Sequence, residues 1–205
     1  MNKCDNCPQS KPDLKICQAE IHSFEREEIQ MDLLSAIKEF YKKDFDLLLR
    51  DVNEVCITCH IFHYFSMLHA EKYKGYNIDP EYNRNGFGSK YYYGDNCGCH
   101  YAKPDLIIHK RNCNKYNLLY VEFKTLCLEH VTHDQNKILR FISNEFGVEN
   151  KHPVKPYRFK YGVSVLLCTD KVDFLWYKNG SSEPVAQYVV SVKDFKSIKE
   201  KINDD

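Results

Sequence analysis

The chain has 205 residues, 43% of them hydrophobic and 28% charged, which suits one packed domain and excludes a disordered tail. Its 29 basic and 29 acidic residues cancel, which excludes a uniformly basic nucleic-acid coat and confines any nucleic-acid path to a local patch. No apolar run reaches the roughly eighteen residues of a membrane span and the N-terminus lacks a signal-like apolar core, so the expectation is a cytoplasmic protein without a membrane partner.

Pro8 and Pro12 make residues 1 to 20 read as irregular, and 21 to 205 as a single domain. From Ile21 to about Arg50, Phe24, Ile29, Leu33, Ile37 and Phe40 recur near a 3.6-residue period, and Asp44 to Arg50 reads as a second short helix. Asn53 is a suitable N-cap for a helix to about Tyr73, with Glu54, Ile57, Ile61, Phe65 and Leu68 on one stripe. An acid at the head of an apolar stripe is either first-turn dipole stabilisation or a site residue. Tyr76 to Tyr82 reads as a strand, followed by a Gly/Asn/Tyr-rich loop to Tyr101.

Two apolar-rich runs come next, Lys103 to Lys110 and Asn117 to Thr125, joined by a polar turn centred near Cys113 and Asn114. In that antiparallel register Asp105 lies across from Glu122, and Lys124 joins them on the same face. Leu106, Ile108, Leu119, Val121 and Phe123 take the other. Opposed like charges are destabilising unless a cation lies between them, and Mg²⁺ or Mn²⁺, which prefer oxygen ligands, fit that description. Such an ion with an adjacent lysine suits phosphodiester hydrolysis. The same three residues also suit an exposed hairpin carrying a solvated surface pair.

Asp134 is expected to cap a helix from Gln135 to Phe146 that buries Ile138, Leu139, Phe141 and Ile142, with Gln135 and Lys137 near the sheet end where they suit phosphate contact. Pro153 and Pro156 mark a loop. Tyr157 to Thr169 and Val172 to Lys178 read as a hairpin, Gln187 to Ser191 as an edge strand and Val192 to Asn203 as a closing helix. The order predicts an α/β sandwich with a central mixed sheet flanked by helices. Arg84, Lys103, Lys110 and Arg111 gather around the hairpin in sequence with Tyr91, Tyr92 and Tyr93 among them, a mixture suited to phosphate contact and base stacking, although three tyrosines also make a strand. The ten cysteines read as reduced thiols or metal ligands, with Cys4, Cys7, Cys97 and Cys99 the set for a structural Zn²⁺.

Pro104-Asp105 and Glu122-Phe123-Lys124 resemble the two halves of the PD-(D/E)XK core, the restriction-endonuclease-like nuclease superfamily. Val52-Asn53-Glu54, the Asp79 to Gly86 segment (DPEYNRNG) and the Lys103 to Arg111 segment (KPDLIIHKR) resemble, in order, segments of its small prokaryotic members, so the likeness spans about residues 50 to 146. It implies a restriction-endonuclease-like fold and metal ligation by Asp105 and Glu122, with Glu81 and the Phe123 carbonyl as further ligands. It also implies that Lys124 handles the nucleophilic water, with Glu54 as an auxiliary acid; Gln135, at the sheet end, is the further catalytic candidate. The implied activity is nucleic-acid cleavage, DNA ahead of RNA, in DNA processing or defence, by a chain for which a homodimer is allowed. The alternative is a domain of the same fold that has lost turnover and binds nucleic acid or a protein. The long cysteine-containing stretch between Asn85 and Lys103 departs from the pattern.

Overall fold

The structure is a computed structural model that describes residues 22–85, 88–89, 91–93, 99–101, 103–111, 113–125, 131–143, 147–149, 152–154 and 157–195, so the irregular segment expected at 1–20 lies outside it. Helix α1 (Arg26–Lys43) forms over the expected period, and Ile29, Leu33, Ile37 and Phe40 are all buried. Its start is tied across the fold, since Glu25 takes Lys160 Nζ at 3.1 Å and the Tyr161 hydroxyl at 3.0 Å. Asp44 separates α1 from the short α2 (Phe45–Leu49). Asn53 caps α3 (Glu54–His69), its side chain accepting from Val55 N–H at 2.9 Å. The helix ends before Tyr73, and Leu68 is 45% exposed, so the buried stripe stops at Phe65. Tyr73 is buried beyond the helix end because its hydroxyl donates to the buried Asp32 of α1 at 2.8 Å.

Strand β1 (Asn77–Pro80) is followed by two ribbons where a loop was expected: β2 (Arg84–Asn85) with β3 (Gly88–Ser89), and β4 (Tyr91–Tyr93) with β5 (Cys99–Tyr101). The tyrosine run pairs as a strand, in keeping with aromatic β-propensity. Then come β6 (Leu106–Lys110), β7 (Cys113–Thr125) and α4 (Val131–Ile142). Helix α4 begins before the expected cap; Asp134 stands in its first turn, where the helix dipole also favours an acid. The proline loop contains a further ribbon, β8 (Gly147–Glu149) with β9 (His152–Val154), and Pro153 is tolerated because a two-stranded ribbon has open edges. The chain continues with β10 (Tyr161–Leu167), β11 (Lys171–Lys178) and β12 (Ala186–Ser191).

β1, β6, β7, β10, β11 and β12 form an open six-stranded sheet in that order, mixed because β10 runs parallel to β7 while the other neighbours are antiparallel. The chain is thus of the α/β class. Alternation divides the sheet into two covered faces. Leu106, Ile108, Leu119, Val121 and Phe123 pack in the larger core with buried residues of α1 and α3, whereas Ile107 and Tyr120 pack with Ile138, Phe141 and Ile142 of α4. The face that carries the charged residues of the hairpin is therefore also covered. Contact there is close: a Cβ on Gly162 of β10 would lie 2.3 Å from Ile138 Cγ2, so glycine lets α4 settle onto the strand.

Candidate metal centre

The β6–β7 ladder pairs Leu106 with Val121, Ile107 with Tyr120 and Ile108 with Leu119. Carried one residue further, it sets Asp105 across from Glu122. The turn itself is tighter than expected, since Lys110 pairs with Cys113, and register shifts on either side of His109 absorb the difference. Asp105 stands just before β6 and its Oδ2 accepts the Phe123 amide N–H at 2.6 Å, which fixes the carboxylate against β7. The described contribution of Phe123 to the site is thus an amide donor. Both acids are buried, Asp105 at 9% exposure and Glu122 at 1%, which removes the solvated surface pair as an account of them.

Burial disfavours the charged form and pushes the Asp105 carboxyl from its ordinary 3.8 up to about 7, with the Phe123 hydrogen bond opposing and the Glu54 charge adding to the rise. Burial likewise lifts Glu122 from 4.5 to about 8, helped by the Asp105 charge and opposed by Lys137 and Tyr120. Lys137 Nζ of α4 lies 2.7 Å from Glu122 Oε2, and the Tyr120 hydroxyl donates to Glu122 Oε1. Tyr120 precedes Glu122 by two residues, so strand alternation alone places it on the same face.

Lys124 sits near the end of β7, where its Nζ meets Glu54 Oε1 at 2.7 Å, while Glu54 Oε2 accepts Thr125 N–H at 3.3 Å. The first residue of α3 therefore meets the end of β7, and Glu54 serves there as the holder of the lysine. Glu81 is brought beside Asp105 through its backbone, its N–H lying 3.4 Å from the Asp105 carbonyl. Its φ of 51° is in the left-handed region, strained for a non-glycine residue. The Glu81 side chain pairs with Lys103 at 3.6 Å, so it faces a lysine in this structure. Gln135 is half-buried on α4, two residues before Lys137.

Of the expected nucleic-acid contacts, Lys103 is exposed, and Lys110 donates to the Gly75 carbonyl at 3.2 Å. The Arg84 side chain lies outside the described residues. Arg111 is committed to Asp79, with Nε at 2.9 Å from Oδ2 and Nη2 on Oδ1, and His109 Nε2 lies 2.9 Å from the same Oδ2. Burial alone would raise the Asp79 carboxyl, yet these partners win and hold it at about 2, below its ordinary 3.8. This cluster, on the β1–β6 edge of the face that carries Asp105, escapes sequence reasoning because no spacing rule links Asp79 of β1 to the later segment that holds both His109 and Arg111.

Cys4, Cys7 and Cys97 and the side chain of Cys99 lie outside the described residues. Among the described residues, no group of three or more His, Cys, Asp or Glu side chains is placed to hold a metal ion; the buried carboxylates at the hairpin are the pair Asp105 and Glu122. Two hard oxygen donors fit a cation such as Mg²⁺, which keeps several of its waters. No described helix is long and apolar enough to cross a membrane. Comparison of the chain with protein-family models, with curated proteins and with solved structures finds no match.

Proposed function

We propose that this chain is a metal-dependent nuclease with the restriction-endonuclease-like fold, hydrolysing phosphodiester bonds, of DNA ahead of RNA, in DNA processing or defence. The observation that carries the reading is the pair of buried carboxylates on neighbouring strands, Asp105 and Glu122, both pushed toward protonation by burial, with Lys124 at the open end of the same hairpin. Asp105 and Glu122 would hold Mg²⁺ or Mn²⁺, which supplies charge stabilisation on a phosphate oxygen and a bound water of lowered pKa. Lys124 orients the water or the scissile phosphate, and Glu54, gripping both the ammonium and the Thr125 amide, keeps that lysine at the strand end. Phe123 N–H holds Asp105 in the rotamer that faces Glu122.

The test is cleavage of supercoiled plasmid, linear duplex, single-stranded DNA and RNA, each with Mg²⁺, Mn²⁺ or EDTA. The expected result is metal-dependent cleavage of at least one substrate, abolished by EDTA and reduced by Asp105→Asn, which preserves the acceptor for Phe123 N–H and removes the ligand charge. Full activity of Asp105→Asn would overturn the assignment. A second reading, a domain of this fold that binds nucleic acid or protein without turnover, is favoured by one feature: both Glu122 oxygens already have protein partners, Lys137 and Tyr120. Binding of the same nucleic acids with no cleavage in any metal would select it.

A further inference from the structure

A buried glutamate at 1% exposure needs partners for its oxygens, and here two side chains supply them: Lys137 Nζ donates to Glu122 Oε2 at 2.7 Å while the Tyr120 hydroxyl donates to Oε1. An ammonium and a divalent cation repel one another strongly at such range, so both cannot share that carboxylate oxygen. Helix α4 cannot retreat to make room, because Ile138 and Ile142, next to and one turn beyond Lys137, are buried against Gly162 of β10. The part left to move is the lysine stem, whose side chain is 14% exposed. Lys124 cannot take over the role while Glu54 holds it at 2.7 Å.

We propose that Lys137 is the resident partner of Glu122 Oε2, that the divalent metal displaces it, and that the displaced ammonium then receives the substrate phosphate. The inference rests on the metal role assigned above to Asp105 and Glu122. It makes metal loading and anion binding two ends of one side-chain exchange: without metal the lysine is engaged inward, and with metal it is released at the position where a phosphate must lie. A group that competes with the metal opposes it, so removing its charge should tighten metal binding even as it weakens the anion site.

The experiment uses the full chain. Calorimetric titration with Mn²⁺ should show Lys137→Met binding on the order of tenfold more tightly than wild type, as for a typical site-to-site coupling, with Lys137→Arg close to wild type. Lys137→Gln keeps a hydrogen-bond donor without the charge and provides the same comparison should the Met variant fold poorly. With Mg²⁺ saturating, inorganic phosphate should bind wild type several-fold more tightly than Lys137→Met. In ¹⁵N NMR of the lysine ammonium groups, the Lys137 signal of the metal-free protein should shift on adding Mg²⁺. Wild type that binds Mn²⁺ with an affinity unchanged in Lys137→Met and Lys137→Gln, or a Lys137 signal unmoved by saturating Mg²⁺, overturns this inference alone. Wild type that binds neither cation at millimolar concentration overturns the metal reading and this inference with it.

Discussion

Lys124 and Glu54 meet at 2.7 Å with the carboxylate divided between two tasks, one oxygen on the ammonium and the other on Thr125 N–H. Both side chains are partly exposed, so their attraction is worth at most about 1 kcal/mol in stability, and the pair is better understood as positioning than as scaffolding. Lys124→Met keeps the alkyl stem and removes the charge. The variant should fold, bind Mn²⁺ as wild type does and melt within a few degrees of it, yet cleave more slowly by about 10²-fold or more, the loss usual for one electrostatic stabiliser. Glu54→Gln leaves an acceptor for Thr125 N–H and unfastens the ammonium, so its rate loss should be smaller and its melting temperature nearly unchanged. Cleavage by Lys124→Met within a few-fold of wild type removes the lysine from the chemistry and leaves a plain acidic site.

Helix α4 reaches the hairpin because β10 carries glycine where the helix crosses. Adding one methyl there, Gly162→Ala, places a Cβ 2.3 Å from Ile138 Cγ2, inside any real carbon contact, and 3.1 Å from Ile142 Cγ2, a tight one. Overpacking of this kind costs about 1 to 3 kcal/mol, and at roughly 2 to 4 °C per kcal/mol for a chain of this size calorimetry should read a clear drop in melting temperature. An unchanged melting temperature means that α4 has a softer seat than its packing indicates. This junction also marks where the sequence stops being legible. The periods of α1 and α3, the Asn53 cap and the Asp105–Glu122 register follow from local rules of spacing, and so does Tyr120, two residues from Glu122 on one strand. Lys137 on Glu122 does not, because no spacing rule links a residue of a crossover helix to the strand before it; Lys137 was assigned to a phosphate contact instead. The start of α4 was misread because an acid in a first helical turn and an N-cap acid look alike in sequence. The hairpin alone leaves a buried site and a solvated surface pair both open, and the apolar stripe of α4 that decides for burial follows later in the chain.

Across the whole molecule, two groups of carboxylates act in opposite senses on stability. Asp79, held at about 2 by burial-resistant bonds to His109 and Arg111, contributes stability that is present above its unfolded 3.8 and is lost as pH falls through the folded value. Asp105 and Glu122, raised to about 7 and about 8, take up protons on folding and so do the reverse. Their contribution is complete below their unfolded values of 3.8 and 4.5 and disappears as pH rises through the folded ones. Metal-free protein should therefore be most stable at about pH 4, where the folded Asp79 is already ionised and the unfolded acids only begin to lose their protons, and should lose stability steadily from there toward pH 8. A divalent cation binds the ionised pair and competes with protons, so Mg²⁺ or Mn²⁺ should raise the melting temperature strongly at pH 8 and hardly at all at pH 5. Asp105→Asn removes one of the two titrating acids, so its metal-free melting temperature at pH 8 should exceed that of wild type, and Mg²⁺ should no longer raise it. Thermal melts of both proteins at pH 5 and pH 8, each with EDTA or Mg²⁺, separate the possibilities. A wild-type melting temperature that rises from pH 5 to pH 8 in EDTA contradicts a buried, protonatable pair. A metal effect of equal size at both pH values places the cation somewhere other than Asp105 and Glu122.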